Sequence, residues 1–370
     1  MKIVQTPARF YPYQGGTEQV VYSLSRELVR MGHSVTVVCA DEPSCGDGDV
    51  DGIQVKRLPY CCKIGNSNVT AALFGCLLKE RFDVMHSHLP HPWSSDISAL
   101  AAAVGRKPFF LTYHNDITGS GFLKPVSAIY NFSFLQALLR AARVIFITNA
   151  GYLNKSGFLY SFRDKIVVAP PGVDTEKFRP FPDTPRFENS IFFLSLLDKF
   201  HRYKGLEVLF KALKLVGAKK PVRLYVGGSG ELLPYYRKLA EASGLRDSVI
   251  FLGRLDERQV LEYYNACDIF VLPSVSRIQE GFGLVALEAM ACRKPVVVSD
   301  IVGLAAEVGS YDAGMVVKPE DAEGLARAIE FLIDNPQARL RMGQKGYQLA
   351  LQNYSWQKHA EIVLTEYQKT

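Results

Sequence analysis

From end to end the chain alternates short apolar runs with longer stretches in which apolar side chains recur every three or four positions. The runs at residues 2–5, 34–40, 52–58, 83–89, 108–114, 143–148 and 165–169 are rich in Val, Ile and Phe. Several are apolar at consecutive rather than alternate positions, the pattern of strands buried on both faces. Between them lie helical stretches such as residues 18–31, where Val20, Leu24, Leu28 and Met31 fall on one stripe. Alternation of this kind predicts a parallel sheet covered by helices on both faces.

The rhythm pauses at residues 170–185, which hold five prolines and read as a connection between domains. It resumes with runs at 191–197, 223–226, 249–252, 269–272, 295–299 and 315–317. From residue 322 onward the pattern is almost wholly helical, with a break at Pro336. The expected fold is α/β, with two doubly wound, Rossmann-like domains over residues 1–180 and 190–353, and a helix over 354–370 packing back on the first. Ligands in such sheets bind beyond the carboxyl ends of the strands, so a cleft between the domains is the expected site.

A length of 370 residues suits two domains, and 48% hydrophobic with 22% charged residues excludes a disordered chain. The net charge of +6 is too mild to point to nucleic acid. It is unevenly spread, because residues 106–165 hold eight cations against Asp116 and Asp164, as much excess as the whole chain. The seven cysteines are odd in number and form no C-x-x-C pair, which argues against a disulfide framework or zinc ribbon. The start shows no apolar leader, and the best apolar stretch, residues 127–148, is broken by Asn131, Gln136, Arg140 and Arg143. The expected location is cytoplasmic, with a peripheral place on the inner face of a membrane left open.

Candidate chemistry centres on Glu280-Gly281-Phe282-Gly283-Leu284, which follows the run at 269–272 and opens a helix. Amides at a helix start are short of partners, and the glycines let a ligand come close to them, which makes an anion site suited to phosphate. Glu280 lies just outside that helix, where its carboxylate can accept from sugar hydroxyls. Glu288, expected about two turns in, can accept from the paired hydroxyls of a ribose. A plain structural reading, in which Glu280 complements the helix dipole and Glu288 is a surface acid, competes with this.

The two glutamates with seven residues between them, followed by Ala289-Met290-Ala291 and Pro295-Val296-Val297, resemble the signature of glycosyltransferase family 4, retaining enzymes of GT-B fold. Gly15-Gly16 with Glu18, His86 and His88, His114, the Pro171-Gly172-Val173-Asp174 turn, Lys204-Gly205, Gly227-Gly228 with Gly230, and Tyr354-Ser355-Trp356 continue the likeness along nearly the whole chain. The resemblance implies that Gly15 and Gly16 form the first donor loop and that His114 lies near the anomeric carbon. It further implies that Lys204 neutralises the diphosphate, that Glu280 holds the donor sugar beside the amides of Gly281, Phe282, Gly283 and Leu284, that Glu288 holds the ribose, and that Arg254 frames the base. Where the family carries an Arg a few residues before the Lys-Gly pair, this chain has Leu196. Lys199, His201 and Arg202 are the candidates to replace that cation.

The implied activity is transfer of a hexose-type sugar from a UDP- or GDP-linked donor to an acceptor hydroxyl, in lipid-linked glycan, exopolysaccharide or glycolipid assembly, with no obligatory metal and no nucleic-acid partner. His86, His88 and His91 invite a metal reading, but no carboxylate at ligand spacing accompanies them, and they are expected to line the acceptor side. Residues 122–143 mix Phe122, Tyr130, Phe132, Phe134 and Leu135 with Lys124, Arg140 and Arg143, a composition that suits an anionic bilayer as well as a core-facing helix. Three rivals remain. A nicotinamide-dependent dehydrogenase is opposed by the lack of G-x-G-x-x-G after the first strand. An epimerase or phosphorylase would keep the fold, and Leu196 makes a non-catalytic sugar-nucleotide-binding subunit thinkable.

Overall fold

The computed structural model describes all residues but Gln14, Thr118, residues 120–122, Ala218, Lys219 and Thr370, and only the backbone at Asn154 and Lys155. The chain divides into two units, Met1–Gly172 with Trp356–Thr370, and Val173–Ser355.

Unit 1 contains β1 (Lys2–Thr6), β2 (Ser34–Ala40), β3 (Gly48–Val50), β4 (Ile53–Leu58), β5 (Cys62–Ile64), β6 (Ser67–Val69), β7 (Val84–Leu89), β8 (Phe109–Tyr113), β9 (Val144–Ile147) and β10 (Ile166–Val168). Its helices are α1 (Gly16–Arg30), α2 (Leu73–Lys79), α3 (Pro92–Val104), α4 (Leu123–Phe132), α5 (Phe134–Ala141) and α6 (Gly151–Lys155), with a 3-10 turn over Tyr160–Lys165. Eight strands form one sheet in the order β10-β9-β8-β7-β1-β2-β4-β3, parallel except where β3 returns against β4. β5 and β6 make a separate hairpin. The order reverses between β1 and β7, the switch point of a doubly wound sheet.

Unit 2 contains β11 (Ser190–Leu194), β12 (Arg223–Gly227), β13 (Val249–Gly253), β14 (Ile269–Leu272), β15 (Val296–Ser299) and β16 (Gly314–Val317). Its helices are α7 (Leu206–Gly217), α8 (Leu233–Ala242), α9 (Glu257–Ala266), α10 (Leu284–Ala291), α11 (Ala305–Ser310), α12 (Ala322–Asp334) and α13 (Pro336–Asn353). The six strands are parallel in the order β13-β12-β11-β14-β15-β16, so the switch point lies between β11 and β14. Successive residues feed opposite faces. Ile191, Phe193, Ile269 and Val271 join one core, while Phe192, Phe270 and Leu272 join the other. That is why these runs are apolar without alternation.

The proline-rich stretch does not hang between the units. Val173 lies in a unit 2 core beside Phe178 and Phe187, and Phe181 N donates to Asn265 Oδ1 at 2.8 Å. The chain passes from one unit to the other at Gly172/Val173 and returns at Ser355/Trp356. The returning segment forms α14 (Trp356–Gln368), which belongs to unit 1. Ala360, Val363 and Tyr367, three and four residues apart, enter the core that holds Ile3, Val21, Phe110 and Phe146. Val363→Asp would put an unpaired carboxylate in that core, a cost of about 3 kcal/mol or more. The expected result is a clear fall in melting temperature, measured by differential scanning calorimetry, whereas Glu361→Asp on the exposed side of α14 leaves it unchanged.

Candidate active site

The candidate donor residues of unit 2 all follow the carboxyl ends of strands. Lys204 follows β11, Arg254 follows β13 and Glu280 follows β14. Because β11 and β14 are parallel neighbours in the sheet, the loops that follow them start side by side, and Lys204 and Glu280 meet. Lys204 Nζ lies 2.9 and 3.1 Å from the two carboxylate oxygens of Glu280, with side chains 15% and 2% exposed. Ser274 Oγ also donates to Glu280. Burial works against the Lys204 charge, but the Glu280 carboxylate outweighs it and holds the ammonium above its ordinary range. The backbone beside Lys204 is equally fixed: Gly205 has φ 81°, and a Cβ there would sit 1.9 Å from the Pro273 carbonyl oxygen.

After Glu280 the chain turns through Gly281 and Phe282 to Gly283, which has φ 92° and begins α10 with no side-chain cap. A Cβ on Gly283 would fall 2.5 Å from Val302, so the position demands glycine for both conformation and space. The Phe282 side chain is core, packed edge-on against Tyr354 at 5.5 Å, which leaves only its backbone for a ligand. Leu284 is half-buried in the first turn. Glu288 lies one turn into α10 rather than two, because the helix starts at Leu284 and not at Gly281. Its carboxylate accepts from Tyr264 at 2.8 Å, and desolvation, against that donated bond, pushes its pKa up to about 7.

The replacement cations for Leu196 have local partners. His201 Nδ1 is 2.8 Å from Asp198, Lys199 lies over the Phe200 ring, and Arg202 pairs with Glu207 at 2.8 Å over the Tyr235 ring. Arg254 is exposed at the end of the edge strand β13. Gly228 and Gly230, with φ 126° and 155°, press on the backbone of Ser195 and Leu197, which accounts for the Gly-Gly-x-Gly pattern by packing.

In unit 1, β1 leads to Gly15 and Gly16, and β8 leads to His114. Glu18 in the first turn of α1 folds back on Gly15, where a Cβ would meet its Oε2 at 2.3 Å. A buried ion pair to Arg9 at 3.2 Å holds it there. Gly16 differs, since a Cβ there would meet nothing within 4 Å.

His86, His88 and His91, expected to line the acceptor side, are buried. The first two and His114 form a stack with ring centroids 4.4 and 5.6 Å apart. His86 bonds Tyr367 and Thr112 at 2.6 and 2.7 Å, and His88 Nε2 lies 2.8 Å from Gln5 Oε1. A carbonyl oxygen only accepts, so His88 Nε2 carries the proton and Nδ1 of the neutral ring accepts. The 3.4 Å contact from His114 Nε2 is then a donated bond, which fixes the His114 tautomer. Among the described residues no group of three His, Cys, Asp or Glu side chains could hold a metal ion. Sequence reasoning missed Gln5, Ser274 and Tyr264, none of which carries a motif; Gln5 and Tyr264 meet partners distant in sequence, and Ser274 meets Glu280 within one loop.

Two family models together cover most of the chain: Glycosyltransferase Family 4 over residues 14–177 and Glycosyl transferases group 1 over residues 177–349. D-inositol 3-phosphate glycosyltransferase of Pseudarthrobacter chlorophenolicus is 31% identical over 303 residues, 78% of this chain and 70% of that one. The chain belongs to glycosyltransferase family 4. A second family 4 relative, phosphatidyl-myo-inositol mannosyltransferase of Mycolicibacterium smegmatis, is 29% identical over 343 residues, 88% of this chain and 83% of that one. The fold is GT-B. Sucrose-phosphate synthase from Thermosynechococcus elongatus superposes with a TM-score of 0.78 at 21% identity, covering 100% of this chain and 98% of that one. HepE from Anabaena in complex with UDP superposes at 0.76 and 18% identity, with full coverage of both chains.

Burial gives the histidines of unit 1 and Glu288 of unit 2 opposite acid responses in this glycosyltransferase. In unit 1 desolvation lowers the pKa of His91 and His114 to about 3 and of His359 to about 4, and holds His86 and His88 well below 6.5. Stability from such rings is complete above the unfolded value and is lost as pH falls toward the folded one, at about 1.4 kcal/mol per pH unit for each. Asp96, raised to about 6 by burial, opposes this as a single group. In unit 2 the raised pKa of Glu288 adds stability as pH falls from about 7 toward 4.5. Both tryptophans, Trp93 and Trp356, lie in unit 1. Acidification to about pH 5 is therefore expected to red-shift tryptophan emission while helical ellipticity from unit 2 persists. Simultaneous loss of both signals would contradict it.

Proposed function

We propose that the protein transfers a hexose-type sugar from a nucleotide diphosphate sugar, UDP- or GDP-linked, to an acceptor hydroxyl with retention at the anomeric carbon. The observation that carries this reading is the Lys204–Glu280 pair beside the uncapped start of α10, at the switch point where doubly wound sheets take their ligands. The UDP complex of HepE, a protein of the same fold, supports a nucleotide-sugar donor.

On this reading the diphosphate lies against the amides of Gly281, Phe282, Gly283 and Leu284, with Lys204 meeting its charge. An ammonium has three donors, so Lys204 can keep Glu280 while it binds phosphate. Glu280, held by Ser274 as well, has acceptor capacity left for sugar hydroxyls. Glu288 takes the ribose hydroxyls and Arg254 frames the base. Gly16 and His114 are assigned to the diphosphate and the reacting sugar by family resemblance. The anomeric carbon–oxygen bond to the β-phosphate breaks while the acceptor oxygen adds from the same face. The acceptor proton passes to the departing phosphate, and the products are a glycoside and a nucleoside diphosphate. Stabilisation of the leaving charge is the main demand, and fixed donors in a buried site meet it without reorganising.

Arg202 is the proposed stand-in for the cation that Leu196 lacks. Its pair with Glu207 is at the surface, where such pairs contribute little, so the guanidinium exchanges partners at small cost.

Purified protein with a panel of labelled nucleotide sugars and acceptors is expected to release nucleoside diphosphate only when acceptor is present, and to do so in EDTA. Lys204→Ala should lower kcat by about a hundredfold or more and Arg202→Ala by about tenfold. A changed sugar without transfer would replace this reading with an epimerase, and binding without turnover with a regulatory subunit. Gly16→Ala separates structure from function. Its added methyl enters open space, so the melting temperature is expected to hold while donor KM rises; an unchanged KM removes Gly16 from the donor site.

A further inference from the structure

We propose that the outward face of α4 and α5 is a docking surface for an anionic lipid bilayer. Among the described side chains of α4 only Asn131 is buried. Val126, Ile129 and Phe132, three residues apart, are 52%, 68% and 88% exposed, and Phe134 at the start of α5 is 61% exposed. The helix is nonetheless held firmly from beneath. Tyr130 donates to Asp96 Oδ1 on α3 at 2.8 Å, Asn131 Nδ2 donates to the Ile117 carbonyl at 2.9 Å, and Leu135 and Leu138 anchor α5 in the core. The polar and aromatic groups that would ordinarily face water are thus the ones turned inward. Of the residues that suggested a bilayer from sequence, Tyr130 and Leu135 belong to this underside, and Phe122 lies outside the described residues.

Charge selects the occupant. Lys124 and Arg140 are exposed beside the apolar face. Asp116, one of the two acids in residues 106–165, is spent inside the unit, where it accepts from Tyr113 and Ser156 at 2.8 Å. On α3 the stripe that starts at Asp96 continues through Leu100 and Val104, 52% and 58% exposed, and ends at exposed Arg106 and Lys107. A second copy of this face would bring cations against cations. A bilayer with anionic headgroups satisfies both features, since the apolar side chains enter the acyl boundary while the cations stay at headgroup level. The docking stands on this surface alone. Its consequence, that the acceptor is lipid-linked and met at the membrane surface, rests on the transferase reading.

The test is co-sedimentation of the full chain with vesicles of phosphatidylcholine alone and of phosphatidylcholine mixed with phosphatidylglycerol, at low and high salt. Binding is expected only to the mixed vesicles, weaker at high salt. Lys124→Gln and Arg140→Gln should each weaken it about fivefold. The double variant Ile129→Glu, Phe132→Glu should lose more than tenfold, with an unchanged melting temperature because both sites are exposed. No binding at low salt, equal binding to both vesicle types, or undiminished binding by the double variant overturns the proposal. So does a wild-type dimer that the double variant dissociates, which would assign the face to a second copy. The rise in melting temperature with UDP or GDP, followed in parallel, reports the donor reading separately: its absence with vesicle binding intact strikes that reading and not the docking.

Discussion

A buried ammonium is tolerated when a carboxylate meets it, and a buried carboxylate when donors surround it; Lys204 and Glu280 satisfy both conditions at once. Their meeting is a product of topology. β11 and β14 are neighbours in the sheet but distant in sequence, and the loops that follow them start side by side at the switch point. The Gly205 backbone closes on the Pro273 carbonyl, and Ser274 ties Glu280 to the same loop. Neither charge can be removed alone without stranding the other, so the pair holds the two loops in one arrangement before any ligand arrives.

Burial imposes a different solution in unit 1. Its histidines have no carboxylate partner within the stack, so desolvation keeps them neutral, and neutrality sets their hydrogen bonds in order from Gln5 through His88 to His114. Glu288 in unit 2 is the mirror case, a carboxyl that burial moves toward its neutral form. One cause, the cost of charge away from water, therefore gives these buried groups opposite responses to acid.

Much of the fold was legible because parallel strands buried on both faces write continuous apolar runs. Every run expected to be a strand is one, with ends shifted by a few residues. The strands Gly48–Val50, Cys62–Ile64 and Ser67–Val69 were not anticipated, since three residues at an exposed edge or hairpin carry no usable period. Lys204, Gly283 and Glu280 were legible as local patterns. Their supports were not: Tyr264 and Gln5 act across the fold, Ser274 acts within the loop that carries Glu280, and an isolated Ser, Tyr or Gln looks the same wherever it occurs. The histidines misled because alternate positions on a strand share a face, and sequence does not say whether α14 covers that face. Tyr367 covers it and bonds His86.

The departure at Leu196 shows how the proposed site would tolerate the loss of a cation. A charge placed at that half-buried position would be less screened than one in open solvent. Arg202 instead stands in the open, two residues before Lys204 on the 3-10 turn, with a surface partner that costs little to leave. Solvent and salt weaken such a cation, so on the proposed reading the larger part of the leaving-group stabilisation falls to Lys204 and the α10 amides. On that reading the glycine at 283 and the ion pair at 204 and 280 are less replaceable than any charge on the loop between 199 and 202.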